Sequence, residues 1–404
     1  MNKDKHIPQG YKDSPLGIIP KEWEVKRICD FGKVVTGSTP PTNDVDNYGS
    51  AYMFVGPVDI TESKYIKSTE KYLSEKGFSI SRNMPKGSVL FTCIGSTIGK
   101  CAIADENLTS NQQINAVICN SNHNEEFLYY ELTNRSNKIR LIAGEQAVPI
   151  INKSTFENIR ILCPPLIEQE RIVSVLGLWD TAIEKQSELI EKLKLRKRAL
   201  MQQLLTGKKR LPDFSEEWKE VKLGEIVSFS TQTIETAKIY KERYVGTENM
   251  LSDCNGIILY DKDIPYIQVR EYKDGDILMS NIRPYLKKIW LSNCDGGCST
   301  DIHVIRNKVN ERVNTKFLYY VLMLDTFFEY AMSGAKGSKM PRGDAKMLTK
   351  YPICYPPITE QLAIINILTD ADKEIELAKE KLANLQSQKR GLMQQLLTGK
   401  KRIK

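Results

Sequence analysis

The sequence contains few of the residues on which metal sites and catalytic triads depend. It has three histidines among 404 residues, and its nine cysteines are irregularly spaced. The closest cysteine pair is Cys294 and Cys298, with Cys254 upstream. Because a structural zinc ion needs four cysteine or histidine ligands, usually in two close pairs, we expect no metal site. The spacing indicates reduced thiols rather than a disulfide framework.

Long apolar segments are also absent. No run approaches the roughly 20 apolar residues of a membrane span, and the first residues lead directly into polar sequence without the features of a signal peptide. We therefore expect a cytoplasmic protein with no membrane contact. The net charge of +8, from 58 basic and 50 acidic residues, permits a polyanionic partner but does not require one.

Motifs for nucleotide hydrolysis and base methylation are missing as well. The phosphate-binding pattern GxxxxGK[ST] does not occur. The two Pro-Pro pairs follow Cys163 and Tyr355, where an adenine methyltransferase motif has Asp or Asn, and no aromatic residue follows either pair. Pro212-Asp213 and Glu217-Trp218-Lys219 lie too close together for a nuclease carboxylate cluster. The sequence therefore predicts a chain that is not an enzyme and holds no cofactor.

What the sequence does contain is a long internal repeat. Residues 164–169 (PPLIEQ) recur 192 positions later as residues 356–361 (PPITEQ). Residues 200–210 (LMQQLLTGKKR) recur unchanged at the same offset as residues 392–402. Fainter matches precede these blocks, so the chain is two copies of one unit, each a divergent domain followed by a shared tail. This arrangement indicates one task performed on two different targets.

Each shared tail is predicted to be one long helix. Residues 168–205 contain no proline, Pro164-Pro165 precede them and Gly207 follows, as expected for the start and end of a helix. Apolar residues recur at heptad spacing, which is typical of a seam between two helices. The seam residues are Ile172, Leu176, Trp179, Ile183, Ile190, Leu193, Leu200 and Leu204 in the first copy, and Ile364, Leu368, Ile375, Leu382, Leu385, Leu392 and Leu396 in the second. Lys197 and Lys389 occupy matching seam positions, where a polar residue tends to fix register. Packing of each helix only within its own domain is the alternative.

The divergent regions, residues 20–160 and 215–350, are interpreted as α+β domains. Short β-branched or aromatic runs between glycines and prolines predict strands. The predicted strands include residues 34–36, 51–55, 88–92, 116–118, 277–279 and 302–305, and helices are predicted near residues 127–142 and 315–332.

Several loops of these domains carry residues suited to nucleic acid. Glycine allows close backbone approach, hydroxyl and basic groups reach phosphates, and amides form paired hydrogen bonds with adenine. The candidates are Ser38, Thr39, Ser96, Thr97, Lys100, Asn111, Gln112 and Gln113 in the first domain, and Asn281, Arg283, Tyr285, Lys287, Lys288, Lys336, Lys339 and Arg342 in the second. Any one of these loops taken singly is more often an ordinary solvated surface, so the prediction rests on the set.

Three features together point to a known family. They are the PPLIEQ block with its copy, the QQLLTG segment at residues 202–207 with its copy, and the GDILMSNIRPY segment at residues 275–285. With these features the whole chain resembles the specificity subunit of type I restriction–modification systems.

The resemblance implies an α+β fold with two similar target-recognition domains in a pseudo-twofold repeat, separated by two long helices that pair as an antiparallel coiled coil. The corresponding boundaries are 1–165 and 209–357 for the domains and 166–208 and 358–404 for the spacer helices. Each domain would read one half of a bipartite, asymmetric site in double-stranded DNA, and the helices would set the gap. Two methyltransferase subunits, using S-adenosylmethionine for adenine N6 methylation, and restriction subunits, using ATP and Mg²⁺, would be the partners. None of these cofactors would belong to this chain.

Two other interpretations stay open on the sequence alone. One is the specificity subunit of a related system with a fused nuclease–methylase partner, and the other is a coiled-coil adaptor without DNA function. The sequence does not identify the bases read, the contacting residues, the spacer length, or self-association without partners.

Overall fold

The computed structural model describes residues 7–144, 148–264, 266–335, 337 and 341–403. The chain divides into two compact units. Unit 1 comprises Met1–Gln186 and Lys381–Lys404, and unit 2 comprises Ser187–Glu380. Both divisions fall inside long helices, whereas the boundaries predicted from the sequence follow the helix ends. Those domain boundaries stay a prediction.

The first domain belongs to unit 1 and contains two main sheets. Its strands are β1 (Tyr11–Ser14), β2 (Gly17–Pro20), β3 (Glu24–Arg27), β4 (Gly32–Thr36), β5 (Tyr48–Val55), β6 (Tyr65–Ile66), β7 (Lys71–Leu73), β8 (Asn83–Met84), β9 (Val89–Thr92), β10 (Cys101–Ala104), β11 (Leu108–Ser110), β12 (Ile114–Cys119) and β13 (Arg160–Cys163). Its helices are α1 (Ile28–Phe31), α2 (Glu75–Ser79), α3 (Glu125–Ile142) and α4 (Lys153–Glu157), followed by the long helix α5 (Leu166–Leu204). The sheet orders are β4-β12-β9-β10-β6 and β7-β5-β11-β8, with β13-β3 and β1-β2 as separate pairs.

The second domain, in unit 2, repeats this plan. Its strands are β14 (Lys219–Lys222), β15 (Val227–Ser230), β16 (Thr233–Glu235), β17 (Tyr244–Val245), β18 (Gln268–Tyr272), β19 (Ile277–Ser280), β20 (Ile289–Leu291), β21 (Gly296–Cys298), β22 (Ile302–Asn307) and β23 (Pro352–Tyr355). Its helices are α6 (Leu223–Ile226), α7 (Thr315–Leu322), α8 (Asp325–Ser333) and α9 (Ala345–Leu348), followed by the long helix α10 (Ile358–Leu396). The sheet orders are β15-β22-β19-β20 and β16-β18-β21-β17, with β14-β23 as a separate pair.

The central strands explain how each domain builds two layers of core. In β9, Val89 and Phe91 lie in the cluster that α3 covers, whereas Leu90 lies in the cluster between the two sheets. In β19, Ile277 and Met279 lie in the cluster that α7 and α8 cover, and Leu278 lies in a separate cluster with residues of the second sheet. Because alternate strand residues face opposite sides of a sheet, a strand buried on both faces is apolar throughout.

The two long helices end in the same way. A left-handed glycine follows each helix, Gly207 at φ +67° and Gly399 at φ +69°. Glycine adopts this conformation without steric cost, which makes it a common helix terminator. The amide of Lys209 donates to the Gln203 carbonyl at 3.1 Å, and the amide of Lys401 donates to the Gln395 carbonyl at 3.1 Å. The repeated LLTG sequence therefore encodes a repeated cap.

Within each unit, parts of the two long helices pack antiparallel. In unit 1 the beginning of α5 and the end of α10 share one core, which contains Leu176 and Leu396. Lys389, which precedes Leu396 on α10, bonds to Asp180, which follows Leu176 on α5. In unit 2 the end of α5 and the beginning of α10 share another core. There Lys197 Nζ lies 2.5 Å from Asp372 Oδ1. As residue numbers rise on one helix they fall on the other, as expected for an antiparallel pair.

The predicted seam faces inward along both helices. Its buried members are Ile172, Leu176, Ile190, Leu193, Leu204, Ile364, Leu368, Ile375 and Leu396, and its half-buried members are Trp179, Ile183, Leu200, Leu382, Leu385 and Leu392. None of them is exposed, and the matching lysines Lys197 and Lys389 are also half-buried. The assignment of these residues to helix pairing nevertheless stays a prediction.

One element differs from the sequence prediction. The helix predicted near residues 315–332 is two helices, α7 and α8, which meet at Met323 and Leu324. Leu324 has extended backbone angles, φ −66° and ψ 145°, and its side chain is 9% exposed. Burial of an apolar side chain in the joint stabilises a break that the apolar periodicity does not show. Asp325 then begins α8, where a carboxylate interacts favourably with the helix dipole.

Candidate nucleic-acid interface

The predicted interface residues of unit 1 come together from separate parts of the chain. The Thr39 hydroxyl donates to Gln112 Oε1 at 2.7 Å, and the Ser38 amide donates to the Ser110 carbonyl at 2.8 Å. Between them, a β-carbon at Gly37 would overlap the carbonyl of Asn111, so only glycine fits this approach. The TGST and NQQ segments therefore form one surface.

Four loops define what we call the loop set of unit 1: residues 55–57, 93–100, 111–113 and 149–150. The Cys93 amide donates to the Gln113 carbonyl at 2.8 Å, and the Asn111 amide donates to the Val55 carbonyl at 3.0 Å. The Gly95 amide donates to the Pro149 carbonyl at 2.9 Å. These backbone bonds hold Ser96, Thr97 and Gln112 at one edge of the domain, where Ser96 and Gln112 are exposed and Thr97 is half-buried.

Unit 2 builds the same arrangement, its loop set being residues 245–247, 281–288, 299–301 and 341–342. The Asn281 amide donates to the Asp301 carbonyl at 2.9 Å, the Ser299 amide to the Val245 carbonyl at 2.9 Å, and the Arg283 amide to the Pro341 carbonyl at 2.8 Å. Each bond has a counterpart in unit 1. The isolated bridge between Ile94 and Ile150 likewise matches the bridge between Ile282 and Arg342.

Two of the predicted lysines donate to backbone carbonyls within their own loop sets. Lys100 Nζ donates to the Pro57 carbonyl at 3.0 Å, and Lys288 Nζ donates to the Thr247 carbonyl at 2.6 Å. Lys287 is also engaged, since its Nζ lies 2.6 Å from Asp325 Oδ1. These contacts give all three lysines a structural role that the sequence does not indicate.

Arg283 is the most exposed cation of the 281–288 loop. Its backbone is left-handed, at φ +51° and ψ 61°, a conformation that non-glycine residues rarely adopt and that often marks a functional position. Among the described residues, no hydrogen bond or ion pair engages its guanidinium group. Tyr285 beside it is 50% exposed. The predicted residues Lys336 and Lys339 lie outside the described residues.

The structure adds candidate residues that the sequence reasoning missed. Ser299, Thr300 and Asp301 occupy the places of Asn111, Gln112 and Gln113, and Asp301 Oδ1 lies 2.9 Å from Arg342 Nη1. Ile150, in the place of Arg342, is 50% exposed. Residues 87–92 recur faintly as residues 275–280, at an offset of 188, and the same offset leads from Asn111 to Ser299.

A histidine lies directly behind the loop set of unit 2. His303 is 8% exposed, and within the described part of the chain its Nε2 has no hydrogen-bond partner. Burial, together with the nearby Arg270 guanidinium, lowers the pKa of His303 to about 4. The imidazole is therefore neutral near pH 7. Asn115, its counterpart in unit 1, accepts a hydrogen bond from the Thr36 hydroxyl at 2.6 Å.

Matching polar contacts join each domain to its helices. In unit 1 the Tyr130 hydroxyl and Lys389 both bond to Asp180. In unit 2 the Tyr320 hydroxyl donates to Asp372 Oδ2 at 2.7 Å, and Lys197 binds the other oxygen. Burial raises the pKa of both tyrosines. The lysines predicted to fix register thus bind carboxylates on the opposite helix.

A second matching contact holds each helix start. Arg402 forms a two-point ion pair with Glu168 at 2.6 and 2.8 Å, and Arg210 forms one with Glu360 at 2.7 and 2.7 Å. Trp23 Nε1 also donates to Glu168 Oε2, at 2.9 Å. We call these two arrangements the arginine clamps. Two-point pairs fix geometry as well as charge, so each clamp fixes the start of one long helix against the segment that follows the other.

Comparison with known proteins identifies the family. The family model described as the type I restriction modification DNA specificity domain matches this chain twice, at residues 20–195 and 215–387. The chain belongs to this family. The two matches together span most of the chain, in agreement with the repeat and the two loop sets. Its role in such a system is recognition rather than catalysis.

Relatives over the full length agree with the assignment. The MjaVIII specificity subunit of Methanocaldococcus jannaschii, a type I restriction enzyme subunit, is 25% identical, with 96% of this chain and 94% of the relative covered. A putative MjaX specificity subunit of the same organism is 26% identical, with 98% and 97% covered. The S subunit of a type I restriction-modification system from M. genitalium shares the fold, with a TM-score of 0.55 at 17% identity over 93% of this chain and 96% of that one.

The described residues contain no helix long and apolar enough to cross a membrane. In the same ranges, no group of three or more His, Cys, Asp or Glu side chains is placed to hold a metal ion.

Proposed function

We propose that this chain is the sequence-specific DNA-binding subunit of a type I restriction–modification complex, acting in the cytoplasm, and that each unit reads one half of a bipartite, asymmetric site. The observation that carries the proposal is the pair of loop sets. Their backbone hydrogen bonds correspond one for one, whereas the side chains that they present differ. A retained scaffold with changed side chains is what two different half-sites require, since base contacts carry the specificity.

The partners follow from what such a chain lacks by itself. Two methyltransferase subunits would supply S-adenosylmethionine and transfer its methyl group to adenine N6, and restriction subunits would supply ATP-dependent, Mg²⁺-dependent cleavage. Enzymes that modify a base in duplex DNA rotate it out of the helix, and this chain would place them at the correct adenine. The long helices, each about 58 Å at 1.5 Å per residue over 39 residues, would set the gap between half-sites.

The test is co-expression of this chain with its methyltransferase partner in a host without DNA methylation, followed by single-molecule sequencing of the host genome. We expect a bipartite N6-methyladenine motif that disappears when this chain is omitted. A soluble complex that leaves the genome unmethylated and binds no DNA sequence preferentially would contradict the proposal and favour the adaptor interpretation. Recovery of a single fused nuclease–methylase as the partner would assign the chain to the related class of system.

The spacer role has its own test. Insertion of seven residues at matching places in both helices adds about 10 Å to each, and we expect the gap between the methylated half-sites to grow by about three base pairs at 3.4 Å each. An unchanged gap would show that the helices do not set the spacing.

A further inference from the structure

The matching loop sets allow residues of the two units to be paired by structure, although their sequences differ. By the backbone bonds described above, Gly95 corresponds to Arg283, and the Ile94–Ile150 bridge corresponds to the Ile282–Arg342 bridge. By the same bonds, Gln112 and Gln113 correspond to Thr300 and Asp301. Gly95 is left-handed at φ +86°, as Arg283 is at φ +51°.

The side chains of unit 1 at these positions are uncharged. The Gln113 amide oxygen accepts from Asn111 Nδ2 at 3.0 Å, and Gln112 accepts from the Thr39 hydroxyl. Ile150 adds an exposed aliphatic group on the same loop set. Amide side chains suit adenine, and an aliphatic group suits the thymine methyl.

The side chains of unit 2 at the same positions are mostly charged. Arg283 extends from a left-handed backbone position, and Arg342 is held by Asp301 at 2.9 Å while remaining 55% exposed. Arginine forms a paired hydrogen bond with guanine O6 and N7, which is the commonest specific contact in the major groove.

Comparing the two loop sets also distinguishes residues that read bases from residues that bind phosphates. In unit 1 the same backbone positions are held by Gly95 and Ile150, neither of which can bind a phosphate through a charged side chain. Because both units are assigned one task, a cation at these positions is not needed for holding the DNA backbone. The arginines of unit 2 are therefore assigned to contacts with the bases of its own half-site rather than with phosphates.

We infer that Arg283 and Arg342 read guanine in the half-site of unit 2, with Asp301 as a positioning residue for Arg342, whereas Gln112, Gln113 and Ile150 read A·T pairs in the half-site of unit 1. The inference rests on the proposed function and adds the base chemistry of each half-site.

The test uses the complex with the methyltransferase partner and compares the methylated motif of wild type with that of Arg283→Lys and Arg342→Lys. Lysine keeps the charge but lacks the planar guanidinium fork that matches guanine O6 and N7. We expect each variant to lose preference for guanine at one position of one half-site, by about 5- to 140-fold, with the other half-site unchanged. Asp301→Asn should weaken the preference at the same position as Arg342→Lys, which a merely structural role would not do.

A matched variant in unit 1 is Gln112→Ala, which should relax an A·T position in the opposite half-site. It also gives an independent result if an arginine variant fails to fold, as thermal melting would reveal. The inference is overturned if the responding half-site contains no guanine, or if the lysine variants lower methylation uniformly without changing base preference, since that is the result for a phosphate contact. A wild-type complex without any methylated motif would instead refute the proposed function.

Discussion

The two units are most alike where they join domain to helix and least alike where they present loops to solvent. The arginine clamps, the Tyr-Asp-Lys contacts and the helix caps recur with the same residue types at corresponding positions. In the loop sets the backbone bonds and the lysines Lys100 and Lys288 recur, whereas other side chains differ: Asp301 in unit 2 takes the position that Gln113 has in unit 1. The difference shows that the joints are under one common geometric requirement, whereas the loops meet different ones.

Breaking an arginine clamp should change the free energy of unfolding more than any other substitution considered below. Arg210→Ala would leave Glu360, which is 1% exposed, without its two-point partner. An uncompensated buried charge costs about 3–5 kcal/mol. We expect the free energy of unfolding of unit 2 to fall by about that amount in urea denaturation.

Arg402→Ala is the matched control in unit 1. Glu168 keeps the Trp23 Nε1 donor, and one hydrogen bond to a charged group contributes about 1.5–3 kcal/mol. In unit 2, by contrast, Trp218 Nε1 is buried and unpartnered among the described residues. The loss should therefore be smaller in unit 1. Equal losses would show that the two clamps are energetically equivalent.

A second difference is the response to acid. The folded pKa of His303, about 4, lies below the ordinary value of 6.5 because burial and Arg270 disfavour the imidazolium, with the Asp344 carboxylate nearby opposing them weakly. The contribution of the neutral His303 to the free energy of unfolding is fully present above pH 6.5 and is lost as the pH falls towards 4. The loss is about 3 kcal/mol, at 1.36 kcal/mol per pKa unit.

This effect can be measured by NMR titration of labelled histidine together with unfolding at several pH values. His303→Asn, which installs the residue found at position 115 of unit 1, should remove this component of the acid sensitivity. A titration midpoint of His303 near 6.5 would contradict the buried, neutral imidazole.

The smallest expected effect concerns the seam lysines. A double-mutant cycle on Lys197 and Asp372 should give a coupling free energy of about 1 kcal/mol, because the carboxylate is 42% exposed. The cycle on Lys389 and Asp180 should differ, since Lys64 Nζ also lies 3.4 Å from Asp180. Identical coupling in both cycles would mean that Lys64 adds nothing to the joint of unit 1.

The sequence predicted the long helices well because their determinants are local and periodic. Heptad spacing, the preceding prolines and a terminal glycine are all visible in residues 164–207. Strands such as β9 and β22 were also visible, since runs of buried β-branched residues mark them. The break at Leu324 was not, because it depends on packing of one leucine that fits an apolar helix face equally well.

The loop sets show a different limit. The NQQ segment is predicted to contact DNA because amide side chains suit bases, but Ser299–Asp301 gives no such signal. Its role emerges only from the hydrogen bonds that place it like Asn111–Gln113. Lys100 and Lys288, which are predicted to contact DNA, donate to backbone carbonyls of their own loop sets, and their contact with DNA stays a prediction. Residue type alone does not distinguish a bracing lysine from a contacting one.

The central claim is that one scaffold performs one task twice, with the loop sets deciding the target. The most direct measurement is the methylated motif produced by a chain in which residues 20–160 also replace residues 215–350, co-expressed with the methyltransferase partner. The account predicts a motif made of two copies of the half-site read by unit 1. A motif that still contained the half-site assigned to unit 2 would contradict it.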